Sequence, residues 1–225
     1  MDTAPQTKVS NLDRDQPFSF RCGSGLSCFT ECCRQLELAL TPYDVLRLSE
    51  TLGLSGAEFL EHYTVIEKSD QDAFPQVYLG MVDDGRASCP FVSTTGCTVY
   101  SNRPGACRTY PLGRGARIGP DQGFNDFYVL VNEPHCRGFA ETTSQTVDTW
   151  LADQELAPYN EMNDLSMLIL QHPRIRSGFR PDAGQQERYL EILYRLSGFT
   201  APPEATADER LRQGLNLLAD ELFPS

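Results

Sequence analysis

The chain has 225 residues, 40% of them hydrophobic, and its 31 acidic against 19 basic side chains give a formal charge of -12. That balance suits one or two globular domains with a real core, and it provides no basic face for nucleic acid or an anionic membrane surface. No apolar run approaches the ~20 residues that span a bilayer. The first 17 residues lack the apolar core of a secretory signal, so a cytoplasmic protein is expected.

Residues 1–17 read as a flexible polar tail, and Phe18-Ser19-Phe20 as a short strand entering a cysteine loop, Cys22 to Cys33. Gly23 and Gly25 permit tight turns within that loop. Thr41 followed by Pro42 predicts a capped helix that Gly53 ends, and Ser55 with Glu58 forms the capping-box signature of a second helix. Val77 to Val82 then reads as a strand turning at Asp83-Asp84-Gly85, with further strands at Thr98-Val99-Tyr100 and Phe127 to Val131. Pro111 to Gly123, rich in glycine and polar residues, reads as a mobile loop.

From about Thr142 the cysteines cease and apolar residues recur at helical spacing. Val147, Trp150 and Leu151 mark one helix, and Met162, Leu165, Leu168 and Ile169 a second. Tyr189, Ile192, Leu193 and Leu196 mark a third; Leu211, Leu215, Leu218 and Leu222 mark a fourth, set off by Pro202-Pro203. The expected fold class is α+β. A small cysteine-rich metal-binding domain of short strands and helices occupies residues 18–140, and a mainly α-helical C-terminal part follows over residues 141–225.

The chemistry lies in eight cysteines arranged in two groups. Cys22, Cys28, Cys32 and Cys33 form the first; Cys89, Cys97, Cys107 and Cys136 form the second. Clustered thiolates in loops rich in Gly and Pro are a ligand set for a soft metal or an iron–sulfur cluster. A disulfide framework is disfavoured in the cytosol. Zinc takes four ligands in a tetrahedron, often through Cys-x(2–4)-Cys steps, and Cys28-x3-Cys32 fits one. Adjacent side chains such as Cys32 and Cys33 diverge, so they serve different centres or one stays outside the metal. The all-thiolate set and the Cys89-Pro90 step tilt the expectation from zinc towards a [4Fe–4S] cluster, although the spacings match neither common ferredoxin pattern. His135, beside Cys136, is a further candidate ligand, more readily a solvated or supporting histidine. Cysteine nucleophilic catalysis, with His62, His135 or His172 as base, ranks lower, because His62 and His172 fall on amphipathic helices where solvated or core histidines are common. Phosphate-cradling glycine loops are absent. Arg21, Arg34, Arg108 and Arg137 each adjoin a cysteine, where a guanidinium can offset the negative charge of a thiolate centre.

Three sets of residues carry a family resemblance. They are Phe20-x-Cys22-x5-Cys28-Phe29-Thr30-x-Cys32-Cys33 with Leu40 to Asp44, then Cys89-Pro90-Phe91 with Gly96-Cys97-x-Val99-Tyr100, and finally Arg103-Pro104-x-x-Cys107-Arg108-x-Tyr110-Pro111. Together they resemble the YkgJ-type cysteine-cluster family of zinc- or iron-chelating domains, which is mostly bacterial. The module is similar to one in flagellin lysine N-methylases, which are associated with an iron–sulfur centre. The first step, x5, is longer than the Cys-x-x-Cys of many relatives, and the helical part carries no methyltransferase motif.

The two groups are expected to converge, with Cys28, Cys32, Cys89 and Cys107 the most critical. Arg103, Arg108 and Tyr110 are expected in a rigid turn that presents Cys107 and aims guanidinium donors at sulfur or at a carboxylate. The leading function is metal binding in a structural, redox-sensing or electron-transfer role, with a protein partner allowed. Two alternatives stand beside it: a lysine-methylase-like enzyme using the cluster, and a structural zinc module presenting helices to a protein.

Overall fold

The computed structural model describes residues 6–69, 71–119, 123–202 and 204–224. In chain order the strands and helices are β1 (Lys8–Leu12), β2 (Phe18–Ser19), α1 (Pro42–Leu52), α2 (Gly56–Tyr63), β3 (Thr64–Glu67) and β4 (Gln76–Leu79). Next come β5 (Val92–Ser93), β6 (Gly96–Cys97), α3 (Gly105–Thr109), β7 (Leu112–Ile118), β8 (Phe124–Asn132) and β9 (Ser144–Gln145). The chain closes with α4 (Val147–Asp153), α5 (Ala157–Leu170), α6 (Pro173–Arg176), α7 (Ala183–Tyr189), a π-helical turn at Leu190–Tyr194, and α8 (Ala207–Leu222). The class is α+β, as the sequence pattern indicates.

Contacts divide the chain into two compact units that interleave in sequence. The first comprises Met1–Leu36, Met81–Tyr100 and Gly105–Pro158; the second comprises Glu37–Gly80, Ser101–Pro104 and Tyr159–Ser225. These units cut across the boundary expected near residue 140. The α1–α2 pair belongs with the C-terminal helices, because its apolar face packs on the π-helical turn and on α8. Conversely, α4 belongs with the cysteine segments, since Trp150 is buried among Phe18, Phe20 and Leu112.

The first unit is built on an antiparallel sheet in the order β1-β8-β7. Two of its three strands were not expected. Lys8–Leu12, read as part of a tail, pairs with β8 from Lys8↔Asn132 to Leu12↔Tyr128 and buries Leu12. Leu112–Ile118, read as loop, pairs with β8 from Leu112↔Leu130 to Ile118↔Phe124. Its glycines serve close packing: a Cβ on Gly115 would lie 2.1 Å from Cζ of Phe127, whose ring covers that position. The remainder of that expected loop, residues 120–122, lies outside the described residues, as does Pro203. Thr98-Val99-Tyr100, expected as a strand, instead follows the β5–β6 hairpin and leads into a 3-10 turn at Tyr100–Asn102.

Under the sheet lies an aromatic floor. Trp150 stands edge-on to Phe18 and Phe20, with ring centroids 6.3 and 5.7 Å away, and its Nε1 donates to the Thr109 carbonyl at 2.9 Å. A buried Trp with its N–H satisfied gives large apolar burial without a polar penalty. Ahead of Cys89, the Asp83–Ser88 turn is closed by Asp84, whose carboxylate accepts from the Ser88 hydroxyl at 2.5 Å and from the Arg86 amide at 2.9 Å.

In the second unit the helix starts form as the sequence indicates. Thr41 and Asp44 cap α1 reciprocally, and Ser55 and Glu58 cap α2. Gly53 ends α1 in the left-handed region at φ 67°. The β3–β4 pair continues into Leu38 and Leu40, which bond to Leu79 and Val77 at 2.9 and 2.7 Å. Tyr194 donates from its hydroxyl to the Leu40 carbonyl at 3.1 Å, and Tyr189 stacks on Phe74 at 4.4 Å.

Gly56 provides a test of this packing. A Cβ there would sit 2.2 Å from the Tyr194 carbonyl oxygen, which is backbone and cannot swing aside. Helix propensity alone would make Gly56→Ala favourable by up to ~1 kcal/mol. The close approach reverses the sign, and a loss of about 1–3 kcal/mol in chemical denaturation is expected; a stabilised variant would refute the packing. A second test concerns Asp84. Hydrogen bonds from the Ser88 hydroxyl and the Arg86 amide hold its carboxyl down at about 2, below the ordinary 3.8. A depressed carboxyl supports the fold above its ordinary range and loses that support as pH falls through the folded value. Carboxyl NMR titration is expected to give a midpoint of about 2 for Asp84, moving up towards 3.8 in Ser88→Ala. A wild-type midpoint already at the ordinary value would exclude this turn.

Candidate metal centre

All eight cysteines lie in the first unit, and none of them is in a disulfide. The Cys22–Cys33 loop is a chain of tight turns, in which Leu26, Phe29, Glu31 and Cys33 donate to Gly23, Leu26, Cys28 and Thr30 at 3.0–3.1 Å. No residue from 21 to 37 is buried. Cys89 precedes the β5–β6 hairpin and accepts from the Val92 amide at 3.1 Å, and Cys97 ends that hairpin. Cys107 sits on α3. Cys136 follows β8 in a turn closed by its own amide on the Glu133 carbonyl at 3.0 Å.

The two sequence groups meet. The Cys89 amide donates to the Cys33 carbonyl at 2.9 Å, the Gln35 amide to the Ala87 carbonyl at 2.8 Å, and Arg34 bridges Ser88 in antiparallel register. On the other side of the loop, the Arg137 amide donates to Cys28 Sγ at 3.2 Å and the Arg21 amide to the Gly138 carbonyl at 3.1 Å. Gly138 leaves room for this approach, since a Cβ there would stand 2.5 Å from the Phe20 ring and 2.9 Å from the Arg21 carbonyl.

Electrostatics map the same neighbourhood. Although Cys22 and Cys32 are exposed as residues, surrounding atoms crowd their sulfurs and disfavour the charged form. Burial first, then Cys32, Cys28 and Cys136, push the Cys22 thiol up. The Cys32 thiol is pushed far up, first by its hydrogen bond with Cys33, then by burial and by the Glu133 carboxylate. Burial, Cys97 and Cys32 raise Cys89. Cys22 therefore shares its surroundings with Cys28, Cys32 and Cys136, while Cys89 stands by Cys97 and reaches Cys32. Among the described residues, no three His, Cys, Asp or Glu side chains converge on a single metal position.

Glu133 was not singled out by the sequence, which offered only an ordinary acidic residue at the end of β8. Its carboxylate lies by Cys32 and Tyr110, and 3.6 Å from His135 Nε2. His135 is the histidine of this unit, whereas His62 and His172 belong to the second. The arginines serve differently from the adjacency argument. Arg34 contacts the Ser88 hydroxyl and Glu31, and Arg86 is bidentate on Glu31 at 2.9 Å. Arg108 is buried, donates to the Gln154 carbonyl at 2.8 Å and lies 3.7 Å from Glu155. It ties α3, and with it Cys107, to the end of α4. Arg103 is buried in the second unit.

The donor set fits a soft metal. The sulfurs form no disulfide, and a main-chain N–H already points at Cys28, the kind of contact that steadies a ligating thiolate. Comparison with curated proteins and with solved structures gives no match. The profile of the CxxCxxCC family, described as "Putative zinc- or iron-chelating domain", matches residues 21–137 and thus spans all eight cysteines and more than half of the chain. The chain belongs to that family.

Proposed function

We propose that the protein is a cytoplasmic metal-binding protein whose thiolates hold zinc or a [4Fe–4S] cluster in a structural or redox centre. The candidate ligands are Cys22, Cys28, Cys32, Cys33, Cys89, Cys97, Cys107 and Cys136. The observation that carries this reading is the junction of the two sequence groups, where the Arg137 amide donates to Cys28 Sγ and the Cys89 amide to the Cys33 carbonyl. Four thiolates are the complement that tetrahedral zinc or a cubane cluster takes. A structural role is favoured by the unburied stretch from 21 to 37, which has no apolar core of its own to order it. When bound, the metal would crosslink segments that are distant in sequence, and its binding free energy would become folding free energy.

Anaerobic purification with metal and acid-labile sulfide analysis separates the two metals. Zinc gives a colourless protein without sulfide; a cluster gives a brown one with iron and sulfide in equal amounts, bleached by air. Single Cys→Ser changes at Cys22, Cys28, Cys32 and Cys136 are each expected to abolish stoichiometric metal. Chelation is expected to speed amide hydrogen exchange across 22–33 while the helices α1 and α8 keep their protection. Slow alkylation of the thiols before chelation and fast alkylation after it would accompany this. A protein that carries no stoichiometric zinc or iron and offers all eight thiols to alkylation at once would overturn the reading.

A further inference from the structure

The Tyr110 hydroxyl is buried and has no partner at hydrogen-bonding geometry. Such an orphan is rare in a native core and calls for an explanation. Its ring is not free to turn away, because Phe20 packs edge-on to it at 5.8 Å and is itself wedged by Phe139 at 5.1 Å and Trp150 at 5.7 Å. Tyr110 and Cys136 both lie against this aromatic cluster. The polar groups beside the phenol are the Cys136 thiol and the Glu133 carboxylate.

A neutral thiol is a weak acceptor, and the phenol gains little from it. A ligating sulfur carries negative charge and accepts strongly. Resting on the metal-binding reading above, we propose that Tyr110 is a positioning residue of the centre, its hydroxyl donating a hydrogen bond to Cys136 Sγ when that sulfur is a metal ligand. The orphaned hydroxyl of the metal-free state is then the preformed donor of the loaded state. The aromatic cluster holds it there.

Tyr110→Phe removes the hydroxyl and keeps the ring on Phe20. The test loads reduced wild-type and variant protein with zinc, and separately with cobalt, and follows melting temperature, metal transfer to a chelator and the sulfur-to-cobalt charge-transfer band. In the metal-free form the variant is expected to melt at or above the wild-type temperature, since an unsatisfied buried group is removed. In the loaded form, metal loss to the chelator is expected to be about 10–100-fold faster, the range seen when a ligand's hydrogen-bond partner is deleted, with a shifted charge-transfer band. Glu133→Gln, run in parallel, is expected to leave that band in place. A variant equally destabilised with and without metal would mean that the phenol serves Glu133 or the core, and would overturn the proposal. Wild-type transfer rates and an unshifted band in Tyr110→Phe would overturn it too. A wild-type protein that takes up neither ion overturns the metal-binding reading together with this one, which distinguishes the two failures.

Discussion

The constraint on which the cysteine unit depends is the ordering of a segment with no fully buried residue. From 21 to 37 the chain has no buried residue, yet four of the eight cysteines sit there in defined turns. Ordering a residue costs about 1–2 kcal/mol of backbone entropy, whereas a main-chain hydrogen bond returns only about 0.5–1.5 kcal/mol net. The backbone around this segment is also under strain. Thr30 at φ 68°, Gln35 at φ 53° and Ala87 at φ 48° are non-glycine residues in the left-handed region, flanking Cys32, Cys33 and Cys89. Each such residue adds about 1–2 kcal/mol. Leu26, Phe29 and Leu36 are only half-buried, so hydrophobic burial offsets this cost in part. A bound metal, with apparent binding free energy of about 10–16 kcal/mol for structural zinc in small domains, would add to it.

The crowding of the sulfurs disfavours their charged form at three positions. The Cys32 thiol is pushed up by its hydrogen bond with Cys33 and by burial, and Cys22 and Cys89 by burial and by neighbouring thiols. A cation inverts that logic, because opposite charge favours the thiolate where like charge disfavoured it. Loading therefore releases protons and removes the repulsion in one event. The Arg137 amide donates to Cys28 Sγ, and the orphaned Tyr110 hydroxyl lies against the same aromatic cluster as Cys136.

How much of this was legible depends on range. The starts of α1 and α2 were, because Thr41 with Asp44 and Ser55 with Glu58 act within four residues. The strand β7 was not: Gly113 and Gly115 read as loop chemistry, and only the ring of Phe127 across the sheet explains them. Nor was β1, whose residues are exposed except for Leu12 and which therefore carries no alternating pattern. The division into units was hidden for the same reason. Nothing local in α4 tells that Trp150 packs with Phe18 and Phe20, or that α1 packs with α8. At the site, residue type alone marked the cysteines, but Glu133 is one acid among 31 and is distinguished only by where β8 ends. At the arginines adjacency does not reveal the partners, since Arg108 donates to the distant Gln154 carbonyl and the amide of Arg137 reaches the sulfur of Cys28.

These features give the unit two parts of unequal strength. Cys107 and Cys136 rest on the firm part: α3 is pinned to α4 by Arg108 on Gln154 and by Trp150 on Thr109, and Cys136 packs against the aromatic floor. Cys22, Cys28, Cys32 and Cys33 ride on the part without a core. Local stability follows buried apolar contact, so the loop is the element whose order a ligand can change most. A metal held between Cys136 and the loop cysteines would therefore draw its folding response from the loop, because binding free energy goes into ordering the segment that lacks a core of its own.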